Sequence, residues 1–452
     1  MHGAGGAGTT GPVGPGGVGV NLLALRSHNA ALVLDLLRTA GDEGISRLEL
    51  AERTGLTPQA VSKITARLRE DGLAAEAGRR ASTGGKPRTV LRLVPEAGHA
   101  VGVHLDRDEV RAVLVDLRGT VVGERRAALN LGAGAEAVLG AVRETVTGVT
   151  AAAGGGRLSR LGEVRLGGAG GLGVAEPGGA ARLGGAGSGG AARTGAAGVD
   201  EAARQGTAEG DGSSRQGAAR LVGTSRQRSA PLGPALLGVG VALPGPLDHA
   251  RGVLHRVTGF PEWDGFPLRE ALAERLGVPV VVDKDTNAAA VGLAAGGESG
   301  SFAYLHLGTG LGAGLVIGGS PHRGARTGAG EFGHQVIQLD GPPCTCGNRG
   351  CVEALCLGAV ARGDLREAAR VLGAGAANLV GLLDIDVVLL GGRTVAAAPE
   401  AFTDGVGAVL EAWARRTGQD AVPVRVATGG GGAVAVGAAE LVLGPVFGRG
   451  GV

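Results

Sequence analysis

Apolar residues recur at helical spacing in three segments near the start of the chain, over residues 31–37, over 45–51 and from 58 onward. Gly55 interrupts the pattern between the second and third segments. Thr57 can cap the third helix through its hydroxyl, and Pro58 suits the first helical position, where the absent N–H has no partner to lose. The apolar stripe of this third helix consists of Val61, Ile64 and Leu68.

Residues 73–94 are predicted to form a β-wing after the third helix. A helix, a glycine-containing turn and a second helix form the helix-turn-helix layout, in which the second helix enters the DNA major groove. Residues 22–95 carry 12 Lys/Arg against 8 Asp/Glu, hence a net charge of +4. The alternative is that these charges form the solvated face of a small helical domain. The predicted DNA contacts are Gln59, Ser62, Lys63 and Arg67 on the helix and Arg79, Arg80, Lys86 and Arg88 on the wing.

From residue 99 the pattern changes to alternating β and α segments. Residues 100–122 predict a β-hairpin, and residues 131–153 predict a helix. A buried strand begins at Leu236, and helices and strands then alternate to residue 447. These segments place a further ordered part of the chain over residues 99–153 and 235–447.

Two stretches lack this periodicity. Residues 1–20 are rich in Gly, and residues 154–234 consist mainly of Gly, Ala, Arg and Ser. Such compositions cannot bury enough apolar surface to offset the entropy lost on ordering. We predict a disordered tail over 1–20, a DNA-binding domain over 21–95 and a disordered insertion over 154–234. An alternative role for the insertion is a flexible arm whose arginines touch DNA phosphates.

Composition narrows the protein class further. The 452 residues suffice for two or three domains, and a net charge of +2 excludes a global polycation. Residues 1–20 have neither a basic region nor an apolar core, so no signal peptide is expected. The apolar stretch Leu379–Gly392 contains two aspartates and is too short to span a bilayer. Together with only four cysteines, these features predict a protein of the reducing cytoplasm without a membrane partner.

Three of the four cysteines fall within eight residues and follow a histidine in the spacing H-x9-C-x-C-x4-C. Three thiolates and an imidazole suit a closed tetrahedral zinc site, which has a structural role. The alternatives are a pair of disulfides or idle thiols, although a C-x-C pair bonds to itself only with strain. Glu331 and Glu353 flank the motif, so the metal would fix two carboxylates in space. The predicted zinc ligands are His334, Cys344, Cys346 and Cys351.

The pattern E-x-G-H followed by C-x-C-G-x-x-G-C-x-E closely resembles the motif of the ROK family of repressors, open reading frames and sugar kinases. The resemblance covers about residues 25–153 and 235–447. It implies a winged helix-turn-helix followed by an α/β actin-like (ribonuclease H-like) domain of two lobes, with a sugar cleft between the lobes and a zinc site. It also implies which residues bind the sugar. These are Lys284, Asp285, Glu331, His334 and Glu353.

The first phosphate loop of ROK kinases, D-x-G-G-T-K, is not preserved in this sequence. The aligned run is His-Leu-Asp-Arg-Asp-Glu at residues 104–109, in which His104 replaces the magnesium-binding Asp. Asp106 and Asp108 place two carboxylates where an anionic phosphate would lie, which Coulomb repulsion disfavours. We therefore expect no kinase activity and a vestigial general base at Asp285. The second, glycine-rich loop is intact but vestigial by the same argument, and it comprises Gly308, Thr309, Gly310 and Gly312.

Lys284 stands where ROK kinases have a sugar-contacting Asn. An ammonium group only donates hydrogen bonds and carries a charge, so it suits a phosphate or carboxylate. The hypothesis is an anionic effector, either a sugar phosphate or a sugar acid. The alternative is that Lys284 pairs with Asp283 or Asp285.

The combined features predict a sugar-responsive transcriptional regulator, a repressor of carbohydrate-metabolism genes that binds operator DNA as a homodimer or tetramer. One alternative is a sugar kinase with an appended DNA-binding domain, which the degenerate first phosphate loop argues against. The other is a zinc-stabilised module that binds a partner protein but no sugar, which the four retained sugar-facing polar side chains argue against. Only about 25 residues separate Glu353 from Asn378, so the helices usual in this part of the family are either trimmed or lost from a damaged gene sequence.

Overall fold

The structure, a computed structural model, describes residues 22–80, 88–152, 159–160, 235–255, 257 and 260–449. Residues 1–20, the wing residue Lys86 and nearly all of 154–234 lie outside the described residues. Within 154–234, Ser159–Arg160 pair in parallel with Ala235 and Leu236, so the prediction of disorder is wrong for these two residues. The reason is that the neighbouring strand of the sheet pairs only from Val239 onward, which leaves this edge open to a partner.

The N-terminal part is a winged helix-turn-helix. Its elements are α1 (Leu22–Thr39), β1 (Ile45–Ser46), α2 (Arg47–Thr54), α3 (Pro58–Glu70), β2 (Ala74–Arg80) and β3 (Arg88–Leu93). Thr57 Oγ1 accepts a hydrogen bond from Ala60 N at 3.2 Å, which confirms the predicted cap of α3. Ile45 pairs with Leu91 in a strand and is not helical, because the capping box of Ser46 and Glu49 starts α2 at Arg47.

The first lobe of the α/β part is a five-strand path in the order β11-β8-β4-β5-β6. Helices α4 and α5 cover one face, where Val, Leu and Trp263 form a continuous core. The strands are β4 (Gly98–Leu105), β5 (Glu109–Asp116), β6 (Val121–Ala128), β7 (Ser159–Arg160), β8 (Ala235–Leu243), β9 (Leu247–Asp248), β10 (Val253–Leu254) and β11 (Val280–Lys284). Its helices are α4 (Ala135–Ala152) and α5 (Leu268–Leu276), and the next helix, α6 (Asp285–Ala295), packs on the sheet of the second lobe.

The second lobe is a five-stranded sheet in the order β14-β13-β12-β15-β16. Its strands are β12 (Phe302–Leu307), β13 (Leu311–Ile317), β14 (Ser320–Pro321), β15 (Val387–Gly391) and β16 (Val424–Val426). Its helices are α7 (Val352–Ala361), α8 (Leu365–Leu383), α9 (Arg393–Ala397) and α10 (Pro399–Thr417), followed by the closing helix α11 (Ala433–Leu443). Helix α7 and the start of α8 fill the short segment after Glu353, so this part of the chain is helical despite its length.

The DNA-binding domain shares a hydrophobic core with the first lobe. Val33 and Leu37 of α1 belong to the same buried cluster as Val113 and Val115 of β5 and Leu443 of α11. Of the described residues, only Gly430–Phe447 match a membrane span in length and apolarity, and 56% of this stretch is buried inside the fold. The apolar composition of α11 thus follows from its burial where the DNA-binding domain packs on the first lobe.

Candidate ligand cleft and metal site

A cleft between the two lobes brings together the five residues predicted to bind sugar. Lys284 and Asp285 enter it from the junction of β11 and α6, and Glu331 and His334 from the turn after β14. Glu353 enters it from the first turn of α7. Four other residues line the cleft, three of them in the predicted phosphate loops and one with no role predicted from the sequence. These are Asp106, Arg107, His306 and Thr309.

Each of three carboxylates in the cleft accepts a hydrogen bond through one of its two oxygens. Asp285 Oδ1 accepts from Thr286 N at 2.6 Å, and Glu353 Oε2 accepts from Leu311 N at 2.8 Å. Glu331 Oε1 accepts from the ammonium of Lys284 at 3.0 Å. Among the described residues, no hydrogen bond engages the second oxygen of any of the three. The cleft therefore presents fixed acceptors that suit the hydroxyl donors of a sugar.

Lys284 is buried, with 2% of the residue exposed. Its Nζ donates to Ala329 O at 2.5 Å and to Glu331 Oε1 at 3.0 Å. The prediction that it would pair with Asp283 or Asp285 is wrong, because the side chain extends across the floor of the cleft to the opposite loop. Because Glu331 already neutralises this ammonium, Lys284 no longer supports the hypothesis of an anionic effector.

Asp283 is occupied by a different set of partners. Its Oδ2 accepts from Arg323 Nε at 2.7 Å, and its Oδ1 accepts from Asn287 Nδ2 at 2.9 Å. The carboxylate side chain is 2% exposed. This buried ion pair ties the loop after β14 to the end of β11, so it fixes the backbone on both sides of Lys284.

His104 occupies the position where ROK kinases carry a magnesium-binding Asp. Burial lowers the pKa of His104 to about 4, so the imidazole is neutral near pH 7. Its ring lies 6.5 Å from that of His306, whose Nδ1 is 2.9 Å from the hydroxyl of Tyr304. Burial raises the pKa of Tyr304, so this hydroxyl stays protonated. Magnesium prefers oxygen ligands, and a neutral imidazole is a poor substitute for a carboxylate.

The segments 104–109 and 308–312, predicted to be vestigial phosphate loops, are joined to each other across the cleft. Thr309 Oγ1 donates to Asp106 Oδ1 at 3.1 Å, and Arg393 reaches Asp106 at 3.6 Å and Asp108 at 3.1 Å. Burial raises the pKa of Asp106, but hydrogen bonds from Arg107 N and Thr309 and the charges of His104 and Arg393 outweigh it and lower the pKa overall. An ionised Asp106 thus fills the space between the loops.

The four predicted zinc ligands converge on one point. Their donor atoms all lie within 4.8 Å of one another. Cys346 Sγ and Cys351 Sγ are 3.7 Å apart, and Cys344 Sγ is 3.7 Å from His334 Nδ1. Tetrahedral zinc with Zn–S bonds of about 2.3 Å requires ligand edges of roughly 3.6–3.8 Å. A disulfide requires sulfur atoms about 2.05 Å apart, so the geometry excludes that alternative and fits zinc.

The predicted DNA-contacting residues of α3 lie on the side of that helix opposite its buried residues. Val61 and Leu68 of α3 are buried, and the opposite side of the helix is solvent-exposed. Arg88 at the start of β3 is exposed, and the backbones of Arg79 and Arg80 pair with Thr89 and Arg88. The side chains of Arg79 and Arg80, like the whole of Lys86, lie outside the described residues. The four residues of α3 predicted to contact DNA are all exposed, and Arg67 lies 3.7 Å from Asp71; the four are Gln59, Ser62, Lys63 and Arg67.

Comparisons with known proteins match both parts of the chain. Residues 219–363 match the model of the ROK family, and residues 33–74 match that of winged helix-turn-helix DNA-binding domains. The chain is 32% identical over 231 residues to the kanosamine kinase of Amycolatopsis mediterranei, covering 44% of this chain and 75% of that protein. It is 23% identical over 315 residues to the xylose repressor of Bacillus subtilis, covering 68% of this chain and 61% of that protein.

Among solved structures, this chain matches the crystal structure of a ROK family transcriptional regulator with a TM-score of 0.63. That regulator is described as a homologue of the E. coli MLC protein. It covers 94% of this chain and 98% of its own, at 18% identity. This match confirms the predicted fold, a winged helix-turn-helix followed by an actin-like pair of lobes. Kinases and repressors both occur among the relatives, so the geometry of the cleft has to separate the two activities.

Proposed function

The chain belongs to the ROK family, and from this premise we propose that it is a sugar-responsive transcriptional repressor of carbohydrate-metabolism genes. The single observation that carries the proposal is the union of an exposed recognition helix with a ligand cleft in one packed unit. The cleft presents fixed carboxylate oxygens for sugar hydroxyls, and α3 presents polar side chains for DNA. The experiment that tests this function measures the affinity of the full chain for operator DNA with and without a sugar.

We propose in addition that the chain has no sugar kinase activity. A kinase needs magnesium and a phosphoryl donor positioned against the sugar hydroxyl, and a general base alone supplies neither. Here a neutral His104 stands at the magnesium position. Asp106 lines the cleft and carries negative charge there, and Arg393 pairs with both Asp106 and Asp108. These observations support a regulator over a kinase with an appended DNA-binding domain.

Sugar-dependent ATP hydrolysis should be absent with D-glucose, D-xylose and N-acetyl-D-glucosamine. A coupled assay that detects ADP provides the measurement, and the Asp285→Ala variant provides the background rate. Equal rates for the two proteins are expected, because Asp285 has no positioned phosphoryl group to act with. A sugar-dependent rate in the wild type that Asp285→Ala removes would establish the kinase instead.

We propose that the effector is a neutral sugar, in place of the anionic one suggested by the sequence. Lys284 is neutralised by Glu331, and Asp285 and Glu353 remain to repel an anion. The relatives named xylose repressors make D-xylose the first sugar to test.

Calorimetry with D-xylose and with the matched pair D-glucose and glucose 6-phosphate should therefore favour the neutral ligands. Between the matched two, we expect roughly fivefold or more weaker binding of the phosphate, since unscreened like charges a few ångströms apart repel by at least about 1 kcal/mol. Tighter binding of glucose 6-phosphate, lost in Lys284→Asn, would show that Lys284 serves an anionic effector.

The remaining aspects of the proposal concern the assembly and its metal. A helix-turn-helix protein that reads a pseudo-palindrome does so as a dimer, so we propose a homodimer or tetramer on operator DNA in the cytoplasm. We propose that one structural zinc is held by His334 and the three clustered cysteines. When bound, zinc crosslinks the loop that carries Glu331 to the helix that carries Glu353.

A further inference from the structure

Helix α11 contacts both the helix that begins in the ligand cleft and the DNA-binding domain. We infer that α11 couples the two, and that Arg38 and Glu440 are the positioning residues that connect it to the DNA-binding domain. The inference deepens the proposed function, on which it rests, by naming the path of regulation. It is argued from three contacts, those of α11 with α6, with the first sheet and with α1.

Between α6 and α11 the two backbones touch without intervening side chains. A Cβ added to Gly292 of α6 would lie 2.8 Å from Gly437 Cα of α11. A Cβ added to Gly437 would collide with the carbonyl oxygen of Ala288 in α6. Since close-packed backbone cannot be compressed, a displacement of α6 has to displace α11 or open a gap. Asp285, which lines the cleft, is the first residue of α6.

The opposite side of α11 rests equally closely on the first sheet. A Cβ on Gly102 of β4 would collide with Ala435 O, and a Cβ on Gly240 of β8 would collide with Ala438 O. Helix α11 is therefore enclosed by backbone on two sides. Its easiest direction of movement is along the surface of the sheet, toward or away from the DNA-binding domain that packs on its remaining side.

At that third contact, Arg38 of α1 forms a bidentate ion pair with Glu440 of α11. Arg38 Nη1 donates to Glu440 Oε2 at 3.1 Å, and Nη2 donates to Oε1 at 2.5 Å. The side chains are only 6% and 4% exposed. Arg38 also donates to Arg118 O and lies 4.7 Å from the ring centre of Phe447. A bidentate buried pair fixes orientation as well as distance, so α1 follows the position of α11.

Two more exposed ion pairs flank this contact. Asp35 of α1 pairs with Arg449 at 2.6 Å, and Arg118 pairs with Asp42 at 2.9 Å. Their side chains are about 28–81% exposed, and exposed pairs contribute little because water screens them. The position of the DNA-binding domain on α11 therefore depends mainly on Arg38 and Glu440 together with the shared apolar core.

A ligand regulates DNA binding only through different affinities for two arrangements of the protein. A sugar hydroxyl bonded to Asp285 favours the arrangement in which α6 suits that bond, and the glycine contacts pass the preference to α11. The Arg38–Glu440 pair then passes it to α1, which packs on the same core as α3. Mutations along such packed paths change the coupling between sites by roughly two- to thirtyfold.

Hydrogen exchange of the full chain, followed by mass spectrometry, tests this path without requiring a known sugar. Gly292→Ala inserts a methyl group between α6 and α11, whereas the control Gly407→Ala adds one in α10 where nothing lies within 4 Å. We expect Gly292→Ala to raise exchange in α6 and α11 and, by roughly two- to thirtyfold, in α1 and α3. We expect Gly407→Ala to leave all four helices as in the wild type.

The decisive arm repeats Gly292→Ala in the Arg38→Gln/Glu440→Gln background, in which both buried charges are removed together. There the substitution should still raise exchange in α6 and α11 but should alter exchange in α1 and α3 much less, because only the shared apolar core then connects them to α11. An equal effect on α1 and α3 in both backgrounds would overturn the inference, as would no effect on them in either.

If Gly292→Ala does not fold, reciprocity supplies the second measurement, since coupling acts equally in both directions. Arg38→Gln/Glu440→Gln alone should then change exchange in α6, and an unchanged α6 would overturn the inference. If the wild-type chain binds neither D-xylose nor any selected DNA, the proposed function is wrong. The exchange experiment would still decide whether α11 couples the two sites.

Discussion

Cys346→Ala is expected to remove zinc completely, lowering the content from one ion per chain to none, and to destabilise the second lobe severely. Apparent zinc binding at structural sites amounts to about 10–16 kcal/mol, which is comparable to the stability of an entire domain. Without the ion nothing links the four donor atoms, which lie within 4.8 Å of one another, and ionised thiolates at that separation repel. Elemental analysis of the purified protein measures the zinc, and thermal unfolding measures the loss of stability.

The chain contains its own control for this experiment. Cys356 is buried in α7 with its Sγ 3.5 Å from Ala368 O, outside the metal cluster. Cys356→Ala should keep one zinc per chain and cost only about 1 kcal/mol, as an ordinary core substitution does. Equal zinc contents in the wild type and Cys346→Ala would show that the cluster does not hold the ion.

The second large effect is expected at the exposed side of α3. Gln59→Ala and Lys63→Ala should each weaken binding to a selected operator by about 1–3 kcal/mol, since each good base contact contributes that much discrimination. Binding to unrelated DNA should change far less, because phosphate contacts supply most of it. The operator is obtained as the duplex that the wild-type chain selects from a random pool, and fluorescence anisotropy measures both affinities.

Two further variants separate base reading from phosphate contact. Arg88→Ala, at the exposed start of β3, should reduce the slope of log affinity against log salt by roughly one and weaken all sequences alike. Arg143→Ala, at an exposed position of α4, should change neither the affinity nor the slope. If Gln59→Ala and Lys63→Ala bind the operator as the wild type does, α3 is not the recognition helix.

Local signals explain why much of this protein could be predicted from its sequence. The cap of α3 needs only Thr57 and Pro58 in adjacent positions, and the structure shows that cap. The zinc cluster has three of its four donors within eight residues, so short-range spacing indicates it directly. The apolar spacing wrongly placed Ile45 in a helix, because the capping box that begins at Ser46 starts α2 only at Arg47.

Three ion pairs of the cleft and of α11 join residues that are far apart in sequence. Lys284 and Glu331 are 47 positions apart, Asp108 and Arg393 are 285 apart, and Arg38 and Glu440 are 402 apart. No periodicity or motif links such positions, and each side chain has several oppositely charged candidates nearby. Lys284 illustrates the limit, since both partners proposed from its neighbours in the sequence were wrong.

By itself, the sequence determined that a winged helix-turn-helix precedes the α/β part and that Thr57 caps α3, and it predicted the four candidate metal ligands and the departure from the first phosphate loop. Each of these rests on residues close together in the chain, whose spacing already constrains their geometry. Only the tertiary structure decided that Lys284 neutralises Glu331, that Arg393 joins the two lobes, and that α11 lies between the ligand cleft and the DNA-binding domain. These features require the packing of whole elements, because the burial that selects one ion pair over another exists only after the chain has folded.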